Sequence, residues 1–170
     1  MVMSTAILGR RASATIWGDA IVLGAQTDYS LRVVASDGRD RQSIRWAGPD
    51  LTLSAAEVAA WVDAQVATAS PGDRERLRAM YASSPVPERS PSYSRILADA
   101  AGHLWVAEYP RADAEPSRWD VFSPEGAWLG TIRVPGRFRL LDVGRDWVLG
   151  AMPDSIEFER LELRVLHSSK

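Results

Sequence analysis

Apolar and polar residues alternate with a period of two along most of this chain, in short runs broken by turn residues. Residues 14–17, 20–25, 30–36 and 42–46 read as four strands. They are separated by Gly18-Asp19, by Gln26-Thr27-Asp28 and by Asp37-Gly38, and closed by Gly48-Pro49-Asp50. Asp37-Gly38 is a strong hairpin signal, because the turn needs positive φ and glycine adopts it at little cost. Ahead of them, the apolar run 3–8 reads as a lone strand.

The period changes once. Ser54-Ala55-Ala56-Glu57 has the spacing of a capping box, in which the serine hydroxyl accepts from the Glu57 backbone and the Glu57 carboxylate reaches back. Val58, Trp61, Val62 and Val66 follow on one helical face, and Pro71-Gly72 stops the helix. Asp73 is expected to cap a second helix striped by Leu77, Met80 and Tyr81, with Pro85 at its end. Residues 51–84 therefore predict a helical hairpin set between β units, and 86–92 is a Pro/Ser-rich connector.

The clearest stretch is 93–135, which holds four β-like runs. Three more follow at 138–143, 147–152 and 161–166, with no fourth. Gly18-Asp-Ala-Ile-Val-Leu-Gly24 matches Gly102-His-Leu-Trp-Val-Ala-Glu108 and Gly144-Arg-Asp-Trp-Val-Leu-Gly150 by residue type. Leu31-Arg-Val-Val-Ala-Ser36 likewise matches Trp119-Asp-Val-Phe-Ser123 and Leu163-Arg-Val-Leu-His-Ser168. Gly102 and Gly144 are 42 positions apart, and Gly18 and Gly102 are 84 apart. A period near 40 is the length of a propeller blade, and twice that leaves room for one blade plus the helical insert. The recurring glycine is expected to turn the chain between first and second strands, and Ile21, Trp105 and Trp147 to fill the space between blades. The expected fold is mainly β: about three four-stranded meanders (12–48, 93–135 and 138–168, the last incomplete) in one domain over 1–170. A plain antiparallel sandwich is the alternative.

The segments Asp99-Ala-Ala-Gly-His-Leu-Trp-Val106, Trp119-Asp-Val-Phe-Ser-Pro-Glu-Gly126 and Leu129-Gly-Thr-Ile-Arg-Val-Pro135 resemble bacterial six-bladed β-propellers of the NHL/TolB-like kind. That resemblance implies a ring with about twice this much chain, so this would be half of one, such as the C-terminal half. Propellers close with 4–8 blades. Completion is therefore expected either from self-association, three blades plus three with residues 3–8 as the missing outer strand, or from a separate half. Lactonase-type propellers hold a divalent metal with Glu, Asn and Asp, and this chain has no asparagine.

Composition narrows the classes further. At 170 residues, 46% hydrophobic and 25% charged, the chain can build one ordinary core. A net charge of −2 argues against a nucleic-acid surface built on phosphate neutralisation. Without cysteine there is no disulfide, thiolate or Cys-type zinc site. No apolar run reaches the ~20 residues of a membrane helix. The N-terminus lacks a secretory signal pattern, so the chain as written reads as unexported; a fragment of an exported protein would have a different address.

The candidate ligand residues cluster about the charged loop 108–118: Glu108, Tyr109, Asp113, Glu115 and Arg118, with Tyr93 and Arg95 close by and Arg137 a weaker candidate. Its carboxylates could bind a cation or act as general acid and base. His103 and His167 are too far apart in the sequence to suggest a metal triad. Asp99 reads as an Asx-type turn stabiliser, and Asp120 as a structural hydrogen-bonder. No catalytic residue, metal ligand or cofactor is assigned. The expected function is a binding or assembly module, with a metal-dependent hydrolase of the lactonase-like kind as the alternative.

Overall fold

A computed structural model describes residues 6–110, 117–135, 137–153 and 158–166. It is mainly β, with three antiparallel sheets and two helices among those residues. The first sheet holds β1 (Ser13–Trp17), β2 (Ala20–Gly24), β3 (Ser30–Ala35) and β4 (Asp40–Arg45), in that order. After α1 (Ala55–Thr68) and α2 (Arg74–Ala82) comes the second sheet: β5 (Tyr93–Ala98), β6 (Leu104–Glu108), β7 (Ser117–Phe122) and β8 (Trp128–Val134). The third has β9 (Arg139–Val143), β10 (Trp147–Pro153) and β11 (Glu159–Val165). Each sheet is a meander, and the three do not join into a closed barrel or ring. No helix among the described residues is long and apolar enough to cross a membrane.

The period-two pattern decides how the sheets pack. Trp17, Ala20, Val22, Leu31, Val33 and Ile44 of the first sheet are buried against Tyr93, Ile96, Leu104, Val106 and Phe122 of the second. The alternate residues of the second sheet, Trp105, Ala107, Trp119 and Val121, are buried with Phe138, Leu140 and Val143 of the third. The sheets are therefore stacked in chain order, the middle one buried on both faces. Their first strands adjoin, β1 against β5 and β5 against β9.

One expectation about this packing is corrected. Ile21 does not fill the first interface; it is exposed on the opposite face, and its neighbours Ala20 and Val22 are buried instead. Turn length is the reason. Trp17 pairs directly with Ala20 across a two-residue turn, whereas Ala98 pairs with Leu104 across five residues. A one-residue change of phase sends every side chain to the other face of a sheet. The recurring glycine also has more than one role. Gly18 and Gly102 turn with φ of +61° and +86°, but Gly144 makes way for an indole, since a Cβ there would lie 2.1 Å from Trp147 Cε2.

The helical hairpin stands where it is expected. Ser54 and Glu57 form the full capping box. Asp73 does not cap α2 with its side chain: it has αR geometry, and its carboxylate takes the Ser70 hydroxyl and the Arg76 guanidinium. Val58, Val66 and Tyr81 pack with Ile7 and Leu8 in a separate small core. That core corrects the reading of 3–8 as a strand. Ile7 and Leu8 lie in a turn, with Leu8 at φ 48°, because their side chains cover the helices; residues 3–5 lie outside the described residues. Leu51 and Leu53 are bonded to Ser90 and Glu88, which ties the base of the insert together.

Candidate functional site

A cleft of about 360 Å³ opens between the first and second sheets. Its polar wall comes from neighbouring strands of the second sheet. Glu108 ends β6, and β7 pairs beside it so that the Arg118 Nε lies 3.5 Å from the Glu108 carboxylate. Two residues along β7, Asp120 accepts from Trp128 Nε1 at 3.1 Å and from the Thr131 hydroxyl at 2.8 Å. Asp120 is thus held by its neighbours, as its place inside Trp-Asp-Val-Phe suggests.

The facing wall is aromatic and belongs to the first sheet. Tyr29 donates its hydroxyl to the Pro49 carbonyl at 3.0 Å, and its ring lies so close to Gly48 that a Cβ there would sit 2.2 Å from Tyr29 Cζ. Trp46 meets Tyr29 and Phe122 edge-on, at 5.6 and 5.1 Å between centroids, and Tyr93 at a tilt. The Trp46 indole N–H is buried with no hydrogen-bond acceptor among the described residues. An unmade bond of that kind costs about 1–3 kcal/mol. The cleft combines a loose carboxylate–guanidinium pair with aromatic surface, which suits a small polar ligand with a flat or apolar side.

The predicted residues divide among different places. Glu108, Arg118 and Tyr93 line the cleft. Tyr93 is fully buried; its hydroxyl accepts from the Gln26 N–H at 3.2 Å, and burial pushes the phenol above its ordinary value. Arg95 points elsewhere, giving its guanidinium to the Leu140 and Leu141 carbonyl oxygens of the third sheet. Burial, and then the charge of Arg139, pull Arg95 below the usual guanidinium range. Tyr109 lines a second depression with Trp61, Tyr81 and Arg11, and burial raises its phenol too, against a hydrogen bond from Trp61. Arg137 is exposed. Asp113, Glu115 and His167 lie outside the described residues.

His103 is tied to the Asp99 turn, its Nδ1 2.9 Å from the carboxylate. The same carboxylate accepts from the backbone N–H groups of Ala101 and His103 and from Trp105 Nε1. No group of three His, Asp or Glu side chains among the described residues is arranged to hold a metal.

A second kind of surface lies at the two ends of the stack. On the first sheet, Ile16 is 75% exposed, Ile21 42% and Leu23 37%, all on the face turned away from the second sheet. On the third, Leu161, Leu163 and Val165 are 65%, 66% and 63% exposed, on the face turned away from the second. Trp147 and Leu149 pair with Val165 and Leu163 and share that face. Exposed apolar residues grouped on one face of a sheet are the kind of feature found at interaction surfaces. Repeat matching put Trp147 on a blade-to-blade surface but missed Ile16 and Leu23, whose alternation reads equally well with either face inward. No family model and no curated protein matches the chain.

Proposed function

We propose that the chain is half of a β-propeller and works as a binding and assembly module, joined to its partner through the outer faces of its two end sheets. The exposed apolar rows on those faces are the observation that carries this. A two-layered sandwich hides one face of each sheet and keeps polar residues on the other. Here β1 and β2 of the first sheet and β10 and β11 of the third also carry apolar residues on the outer face, beside the Arg32–Asp40 and Arg139–Glu159 ion pairs, which suits blades with a neighbour on each side. The adjoining first strands and the chain-order stacking agree with blades set about an axis. The cleft with Glu108, Arg118 and Trp46 is then a gap between two blades, open to a ligand at the rim.

Hydroxyl-radical footprinting in a lysate of the cell that makes the protein tests this without knowledge of the partner. Val86 and Leu129, 61% and 55% exposed and on neither end face, serve as references. Docked faces leave Ile16 and Leu163 several-fold less oxidised than their exposure predicts. Labelling in proportion to exposure at all four positions overturns the proposal.

A further inference from the structure

We infer that the partner is a second copy of this chain, set head to tail, an inference that rests on the half-propeller reading. The third sheet of each copy docks by its outer face on the outer face of the other's first sheet.

The faces themselves select this arrangement. Ala20 and Val22 point onward to the second sheet, where Leu104 and Val106 point back at them. Trp105 and Ala107 point onward to the third sheet, against Leu140 and Val143. Each interface inside the chain thus joins an onward face to a backward one. Trp147 shares the face of Trp105 in the hydrogen-bonding frame: its carbonyl oxygen accepts from Gly144 as that of His103 accepts from Asp99, and His103, two residues before Trp105, has the same phase. Trp147 therefore belongs to an onward face, yet it is only half-buried while Trp105 is buried. Ile21 and Leu23 belong to a backward face left exposed among the described residues. The two open faces are unlike, and each is of the kind that the other meets inside the chain.

Number agrees with the same partner: two copies of the three sheets among the described residues bring six blades, inside the 4–8 range of closed propellers. A head-to-tail contact repeated about a two-fold axis closes the ring and leaves neither face open. The core of the helical insert, with Ile7 and Leu8, includes no residue of either end face.

The test weighs the purified 170-residue chain by native mass spectrometry and light scattering at micromolar concentration. The expected mass is twice 18.7 kDa. Leu23→Arg and Leu163→Glu each alter an exposed side chain on one end face, and each variant alone is expected at the monomer mass with an unchanged circular dichroism spectrum. Their equimolar mixture is expected to regain the dimer mass. Paired head to tail, the two variants leave one contact unaltered and set Arg against Glu in the other. Ile16→Arg and Leu161→Glu replace them if either fails to fold. One variant remaining dimeric, or a mixture that remains monomeric, overturns the head-to-tail arrangement. A wild-type chain that is a folded monomer overturns self-association. Footprinting then separates the two failures: protected end faces in the lysate leave the assembly reading standing with another partner, and unprotected ones remove it as well.

Discussion

The indole N–H of Trp17 donates to the carbonyl oxygen of Gly102 at 2.6 Å, and so the last residue of β1 is fastened to the first turn of the second sheet. Trp17 is also buried in the core between those sheets. Trp17→Phe keeps an aromatic ring there but removes the donor, and is expected to lower stability by about 1 kcal/mol through the bond alone. Trp17→Ala removes the packing too and should cost about 3–5 kcal/mol. Urea denaturation midpoints measure both.

Gly24 and Tyr93 leave no room for a larger neighbour. A Cβ on Gly24 would lie 1.8 Å from the Tyr93 hydroxyl and 2.8 Å from Leu31 Cδ2. Both of those side chains are fully buried, so neither can swing into solvent. Gly24→Ala is expected to destabilise by about 1–3 kcal/mol, as overpacking does. The Gly24→Ala, Tyr93→Phe double variant should recover only part of that, because the ring carbon Cζ also comes within 2.8 Å. Thermal denaturation of both variants and of Tyr93→Phe alone is the measurement.

Alkali should reach Tyr93 next. Its phenol is raised by burial, and the folded state therefore holds the proton more tightly than the unfolded chain does. The resulting stability is whole below the ordinary tyrosine value of about 10 and is lost as pH rises through the higher folded value. Tyr109 adds a loss of the same sign. Denaturation midpoints are expected to fall steeply above about pH 10, and Tyr93→Phe should flatten part of the fall. A midpoint independent of pH in that range would show that neither phenol is held.

Arg95 is a brace between sheets. Its guanidinium crosses from β5 to the Leu140 and Leu141 carbonyls on β9, and its depressed pKa records the burial it endures. Arg95→Met keeps much of the stem and drops the bonds, leaving two carbonyls short of a donor. A loss of about 1.5–3 kcal/mol is expected, with hydrogen exchange on β9 speeding up first. Binding of any ligand in the Glu108–Arg118 cleft should be unaffected, since Arg95 is not among the residues lining it.

The parts of this structure that are local in the chain are those a reader of the sequence can find. The Ser54–Glu57 capping box and the Asp99 turn are each completed within a few residues, and the bonds expected there are present. Ile21 could not be placed by type, because its face is set by the length of a turn and not by its own pattern. Asp73 misled for the opposite reason: its cap spacing is right, but Ser70 and Arg76 compete for the carboxylate. Gln26 reads only as a turn residue. In the structure it is buried, takes the backbone N–H of Arg11 on its side-chain oxygen, and gives its own backbone N–H to Tyr93. Trp46 and Asp120 face one cleft from sheets far apart in sequence, and no spacing rule connects them.

Trp46 provides the counterpart to Trp17, since the same substitution should behave differently at the two sites. The Trp17 N–H is bonded, whereas the Trp46 N–H is buried without an acceptor among the described residues. Trp46→Phe removes a donor that gains nothing from the fold, and it keeps a ring against Tyr29, Tyr93 and Phe122. Relief of the unmade bond, about 1–3 kcal/mol, opposes the packing lost with the smaller ring. Trp46→Phe is therefore expected to leave the denaturation midpoint near that of the wild type, well above that of Trp17→Phe. Equal losses at the two positions would mean that the Trp46 N–H finds an acceptor in solution, and a ligand or ordered water in the cleft should then be sought by soaking and diffraction.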